Sequence, residues 1–322
     1  IAEAISKIGP AKDVPRVEDA MGTDSPAQRL DFDEIYEAYR RDVDAVRPRS
    51  EGSAITVAYT PIHGVGWATF RRLVTDAGYP NVEAVPEQRD PDGRFPTVAF
   101  PNPEEPGAMD LVQDLGTRIG ADVVLANDPD ADRLAVALPT DGGSWRSLTG
   151  NQIGVLLADY LLHHWSGGET PIVINSIVSS PMLEAVAELH SAHFEQTLTG
   201  FKWIANAALD LEASGVGTFV FGYEEALGYT VGGHVRDKDG LSAGLVFLDL
   251  VASLRDEGLT VTDRMGDLYR RAGLWVSTQL SLVRPGTEGL AEITGAMQRL
   301  GEVTPVELDG RKVVSVRDFR VG

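Results

Sequence analysis

The chain has 322 residues, 43% hydrophobic and 24% charged, with 48 acidic and 28 basic side chains, a formal charge of −20 and no cysteine. Such a balance suits about two globular domains at ~150 residues each. It excludes disulfides, zinc–thiolate sites and thiol nucleophiles, and it repels nucleic-acid backbones and anionic lipid. The longest apolar stretch, residues 154–162, is broken by Asp159 and falls short of the ~18 residues of a membrane span. With no signal peptide visible at the start, the expectations are no nucleic acid, no membrane and a cytoplasmic location.

Residues 1–30, punctuated by Gly9-Pro10, Pro15 and Ser25-Pro26, read as a short helix and a linker. Apolar spacing at Ile35, Tyr36, Tyr39 and Val43 predicts a helix over 33–46, ended by Pro48. A strand over 54–59 enters the turn Thr60-Pro-Ile-His-Gly-Val-Gly66, and a helix over 67–77 closes at Gly78. A short strand (81–85) precedes a Pro-rich loop, 86–107, with no helical or strand period, long for a passive connection. Then come a helix (110–119) closed by Gly120, a buried strand (122–126), an acidic loop, a strand (134–138) and a helix (151–164).

A second unit opens at Pro171, with a strand (172–174), helices (181–189 and 205–212), and a strand (218–221) leading into Gly222-Tyr-Glu-Glu-Ala-Leu-Gly228. A long helix (241–256) and late strands (274–283 and 312–317) complete it. Alternating strands and helices predict two tandem α/β/α domains with mixed or mostly parallel sheets. Their expected bounds are 46–166 and 167–322, with 1–45 as the end of a preceding domain and its linker.

The acidic loop Asp128-Pro-Asp130-Ala-Asp132-Arg133 carries the most chemistry. Three carboxylates at i, i+2 and i+4 repel one another and need compensation, which a divalent cation with hard oxygen ligands supplies. In α/β sheets such loops cluster at the carboxyl ends of strands. A solvated acidic turn has no need for a strand on each side. Arg133 stands ready to hold a phosphate beside the ion. An EF-hand would need Gly at position 6 and Glu at position 12, where this chain has Arg133 and Pro139. A haloacid-dehalogenase-like phosphatase, with Asp128 as nucleophile, fits Asp128-x-Asp130 but expects Thr or Val where Asp132 stands. It is the alternative reading, alongside a non-catalytic metal-binding fragment.

The loop resembles the D-G-D-A-D-R metal loop of the α-D-phosphohexomutases, with Pro129 in place of Gly. Further stretches fall in that family's order. Residues 59–66 resemble the opening strand and turn of its second domain. Phe95-Pro-Thr-Val-Ala-Phe-Pro-Asn-Pro-Glu104 resembles its F-P…P-N-P-E loop. Thr199-Gly-Phe-Lys-Trp203 resembles a loop carrying a substrate-contacting Lys, Gly222-Tyr-Glu-Glu-Ala226 its sugar-binding G-E-E-S loop, and Val235-Arg-Asp-Lys-Asp-Gly240 its R-x-K-D-G stretch.

The resemblance implies Mg²⁺-dependent phosphoryl transfer, in which a phosphoserine of the first domain exchanges its phosphoryl group with a sugar phosphate through a sugar bisphosphate. Asp128, Asp130 and Asp132 would be metal ligands and Arg133 a contact to the transferring group. Lys202 would serve proton transfer or phosphate contact, and Glu224 and Glu225 would bind the sugar. Thr199, Gly200, Arg236, Lys238 and His63 are further ligand-binding candidates. Against these stand plainer roles: a surface lysine for Lys202, a helix N-terminal acid for Glu224, a capping or core imidazole for His63 and solvated loop charges for Arg236 and Lys238.

Two departures matter. Ala226 replaces the family's Ser and removes a hydroxyl. With Pro129, the form E-E-A-x-G-Y is similar to a branch that includes phosphopentomutases and glucose-1,6-bisphosphate synthases. Neither T-A-S-H-N-P, which carries the phosphorylated Ser, nor R-P-S-G-T-E-P occurs in the 322 residues. Val283-Arg-Pro-Gly-Thr-Glu-Gly289 lacks the Ser of the latter and reads as a strand end and helix cap. Residues 316–322 resemble a linker to a fourth domain. The expectation is the middle of a mutase, holding metal ligands and sugar loop without the phosphoryl carrier, and inactive or weakly active alone.

Overall fold

The structure is a computed structural model; it describes residues 7–13, 16, 27, 29–49, 51–277, 284–303 and 305–316. They form two units, residues 1–275 and 276–322.

The larger unit begins with helix α1 (Phe32–Val46), capped by the Asp31 side chain and anchored through buried Tyr36 and Val43. Arg47, just past its end, makes a two-pronged ion pair at 2.8 Å with the fully buried Asp249, which Tyr79 also bonds. Strand β1 (Thr56–Thr60) leads through a tight turn into α2 (Gly66–Asp76), followed by β2 (Asn81–Ala84), the loop 85–109, α3 (Asp110–Ile119) and β3 (Val123–Ala126). Gly120 ends α3 at φ 63°, a left-handed cap that costs glycine nothing. β4 (Ala135–Pro139) and β5 (Trp145–Ser147) complete a sheet of order β2-β1-β3-β4-β5. The first three strands are mutually parallel; β4 pairs antiparallel with both β3 and β5.

Helix α4 (Gly150–His163) starts from a Thr149–Gln152 capping box. Next come β6 (Pro171–Ser176), α5 (Met182–Leu189), β7 (His193–Thr197), α6 (Phe201–Ala213), β8 (Thr218–Glu224) and β9 (Gly228–Val231). The second sheet runs β7-β6-β8-β9, with β9 antiparallel and the rest parallel. Helices α7 (Gly240–Asp256) and α8 (Val261–Ala272) follow. α7 packs on both α2 and β9, so one hydrophobic core runs from the first sheet to the second. Asp159, the charge inside the apolar run of α4, is 1% exposed and ion-paired to His190 of the α5 end at 2.8 Å and to Arg264 of α8 at 2.6 Å.

The smaller unit holds α9 (Gly286–Glu302) and a hairpin of β10 (Glu307–Leu308) with β11 (Arg311–Lys312). The helix begins right after Pro285, as the sequence suggested for this stretch.

Two layers of α/β structure thus match the expected class, and several elements differ in extent. Phe201, Lys202 and Trp203 lie in the first turn of α6 rather than in a loop. β5, β7, β9 and α8 were not anticipated. No regular structure occurs over 274–277, and the rest of the strand expected to 283 lies outside the described residues, as do most of residues 1–28 and residues 317–322.

Candidate metal and ligand site

The acidic loop leaves the carboxyl end of β3 and returns into β4, and its shape is fixed from three sides. Pro129 presses on the β1–α2 turn, where a Cβ on Gly64 would collide with the Pro129 backbone; the Val65 N–H donates to the Pro129 carbonyl at 2.9 Å. Ala131 inverts the chain at φ 60°, and its carbonyl accepts from the Gly240 N–H at 3.1 Å. The Arg133 N–H closes the loop on Asp128 Oδ1 at 3.0 Å.

This geometry gathers Asp128, Asp130 and Asp132 so that one oxygen of each lies within 4.8 Å of the others. Burial, reinforced by the charges of Asp132 and Asp130, pushes the Asp128 carboxyl up to about 7 against the pull of the Arg133 N–H and guanidinium. The Arg133 guanidinium stands 3.5 Å from Asp128 and 3.8 Å from Asp132, and its Nε has no hydrogen-bond partner. Lys238 reaches Asp132 at 2.8 Å. Burial works against that ammonium, but Asp132 and Asp237 more than offset it and its pKa is raised. Asp130 is exposed and makes no hydrogen bond or ion pair with any described residue. Three hard oxygens at mutual ligand distance, one of them with no protein donor, fit a small divalent cation.

The loop after β8 meets the acidic loop directly. Arg133 and Gly228 form an antiparallel bridge, and the Leu134 N–H donates to the Leu227 carbonyl at 3.0 Å. A Cβ on Gly228 would strike the Lys238 side chain and force it to shift. Glu224, at the end of β8, accepts from the Gly200 N–H at 2.6 Å and so ties down the start of α6. Glu225 is engaged elsewhere: its carboxylate accepts from the Ser176 and Ser179 hydroxyls at 3.2 and 3.0 Å, and its own N–H bonds the Ser179 oxygen.

The remaining expected residues are placed less uniformly. Thr199, Lys202 and Arg236 are exposed; the Lys202 ammonium lies 5.6 Å from the Trp203 ring centre. His63 is 3% exposed, at φ 60°, with Nε2 bonded to Thr97 at 2.8 Å and its backbone tied to Gln88 and Asp92. It therefore pins the long Pro-rich loop to the turn that supports Pro129. Glu104, at the end of that loop, points at Arg133 across 4.0 Å. Burial raises its pKa, Glu225 adds to this and Arg133 opposes. Its place in P-N-P-E was the only sequence signal for it. Ser176 and Ser179 carried none.

Residues 33–142 match the family model described as phosphoglucomutase/phosphomannomutase, alpha/beta/alpha domain II, and residues 149–272 match alpha/beta/alpha domain III. This chain belongs to the phosphoglucomutase/phosphomannomutase family. It is 39% identical to a probable phosphomannomutase of Haemophilus influenzae over 99% of this chain and 62% of that protein. It is 40% identical to a mouse phosphopentomutase over 72% of this chain and 38% of that one. The chain thus spans less than two thirds of either relative's length. Its fold is that of a putative phosphomannomutase from Thermus thermophilus, with a TM-score of 0.63 at 22% identity, covering 78% of this chain and 53% of the other. Family membership across both α/β regions leaves the phosphatase reading without support.

Proposed function

We propose that this chain forms the metal- and sugar-binding part of a phosphosugar mutase, a Mg²⁺-dependent isomerase that moves a phosphoryl group between two oxygens of a sugar through a sugar bisphosphate. The observation that carries it is the joining of the acidic loop to the Glu224–Gly228 loop through the Arg133–Gly228 bridge and the Leu134 N–H to Leu227 carbonyl bond. On this reading the carboxylate triad and Glu224 serve one site.

On this reading Asp128, Asp130 and Asp132 hold Mg²⁺, which when bound neutralises charge on the phosphoryl oxygens. Arg133, whose Nε makes no hydrogen bond, orients the transferring group. Glu224 keeps one oxygen on the Gly200 N–H and offers the other to sugar hydroxyls. Lys202 and Arg236 are exposed cations for the distal phosphate, where they counter the field of a −20 chain. As the attacking sugar hydroxyl oxygen bonds phosphorus, the phosphorus–oxygen bond of the donor serine breaks, and the proton released by the hydroxyl passes to the serine oxygen. The reverse transfer from the other end of the sugar regenerates the donor. Thr199, Gly200 and Lys238 line the ligand, and His63 supports the loop behind it. We further propose the domain bounds 46–166 and 167–322 and a cytoplasmic location; among the described residues no helix is long and apolar enough to cross a membrane.

No T-A-S-H-N-P stretch occurs in these residues, so the chain by itself should bind sugar bisphosphate with Mg²⁺ and turn it over little or not at all. Calorimetry with glucose 1,6-bisphosphate, ribose phosphates and mannose phosphates, with and without Mg²⁺, tests this. Binding that needs the ion and is lost in Glu224→Gln is expected. Turnover at the rate of a complete mutase contradicts the inactivity, and absence of binding by every sugar phosphate contradicts the reading.

A further inference from the structure

Asn127, the residue between β3 and the first aspartate, has a fully buried side chain. Its Oδ1 accepts from the Tyr59 hydroxyl at 2.6 Å, its Nδ2 donates to the Arg133 carbonyl, and its backbone N–H donates to the Thr60 carbonyl at 2.9 Å. Residues 127 and 133 are the two ends of the acidic loop, so this one amide ties the end of the loop to its beginning. Tyr59 is itself fully buried, its ring 4.5 Å from Phe70 and 5.5 Å from Trp67, and cannot swing away. The first residue of α7 covers the arrangement from outside. A Cβ on Gly240 would strike the Arg133 carbonyl oxygen and come within 2.5 Å of Asn127 Nδ2.

The Asn127 carboxamide meets two demands at once. The Tyr59 hydroxyl needs an acceptor and the Arg133 carbonyl needs a donor. A carboxylate offers no donor, and an aliphatic side chain offers neither. Without the amide both groups would be left unpaired in a buried site, and the two ends of the loop would lose the bond that ties them.

We propose that Asn127 is a positioning residue for the metal site: with Tyr59 behind it, it holds Asp128, Asp130 and Asp132 in ligand geometry before any ion arrives. This rests on the metal reading above. Groups standing behind metal ligands typically carry 10- to 100-fold of affinity.

The test is Mn²⁺ binding to the full chain, followed by electron paramagnetic resonance, with Asn127→Leu, Tyr59→Phe and Asp159→Asn. Asp159 lies in the α4–α5–α8 ion-pair cluster, so its variant reports loss of stability without touching the loop. Expected are a dissociation constant about 10- to 100-fold weaker for Asn127→Leu, about 5-fold weaker for Tyr59→Phe, and unchanged for Asp159→Asn. If Asn127→Leu does not fold, Tyr59→Phe decides, because it removes one oxygen and keeps the ring. Wild-type affinity in Tyr59→Phe, or in a folded Asn127→Leu, overturns the proposal while leaving the metal site standing. Equal weakening in Asp159→Asn also overturns it, since the effect would then be general destabilisation. If the wild-type chain binds no Mn²⁺, the metal reading fails first and this inference with it.

Discussion

The loop after β3 and the loop after β8 follow one plan: each leaves the carboxyl end of a parallel strand and turns back into an antiparallel neighbour. Both are acidic, yet their carboxylates are in opposite states. In the β8 loop, Glu224 and Glu225 are already supplied with donors from Gly200, Ser176 and Ser179. In the β3 loop, Asp128 is pushed up to about 7 by burial and by its neighbours, Asp130 has no partner among the described residues, and Asp132 depends on Lys238 and Arg133. Donors supplied by the fold hold Glu225 and one oxygen of Glu224, leaving the other Glu224 oxygen for a ligand. In the β3 loop Lys238 and Arg133 offset the crowded charges only in part, which favours a cation there.

The comparison breaks or sharpens under substitution. The largest expected effect is on ion binding: Asp128→Asn and Asp132→Asn should each weaken Mg²⁺ by more than about 100-fold, beyond the cost of outer-shell changes, whereas Glu225→Gln should leave it unchanged. Calorimetric titration reads both.

Next comes a third kind of acid, buried and fully paired. Asp159→Asn should destabilise by about 3 kcal/mol, because it leaves the Arg264 guanidinium without its buried counter-charge. Burial alone would raise the Asp159 carboxyl, but His190 and Arg264 more than offset this and lower it. A carboxyl lowered on folding contributes stability above its unfolded value of about 3.9, which is lost as pH falls through the folded value. The wild type should therefore lose denaturant stability on acidification below about pH 4 faster than Asp159→Asn does. Parallel curves would contradict the pairing.

Smaller still, Glu225→Ala should cost about 1 kcal/mol by removing the carboxylate that accepts from the Ser176 and Ser179 hydroxyls, which keep their mutual hydrogen bond at 2.8 Å. Asp130→Asn should leave the melting temperature of the ion-free chain unchanged or raise it. A neutral or stabilising Glu225→Ala together with a destabilising Asp130→Asn would erase the distinction between the loops.

Much of this was legible in the sequence. Asp128, Asp130 and Asp132 stand out because three acids follow the apolar Val123–Ala126 strand at close spacing, and α3 announced both of its ends through its apolar period and Gly120. Partnerships across long separations were not legible. Nothing in Ser176 or Ser179 points to a carboxylate more than forty residues on, and Gly64 gives no hint that it exists to admit Pro129. β7 was missed because His193–Thr197 is half-buried throughout and has no apolar run, and α8 because its apolar positions, Val261, Met265 and Leu268, are outnumbered by charge. Glu225 reads like Glu224 in sequence, and only their donors tell them apart.

The most direct measurement is an anomalous difference map from a crystal of the chain soaked with Mn²⁺ and glucose 1,6-bisphosphate. The account predicts one ion bound by Asp128, Asp130 and Asp132, with sugar hydroxyls on the free oxygen of Glu224. An ion elsewhere, or a sugar bound away from Glu224, would contradict the claim that the two loops form one site.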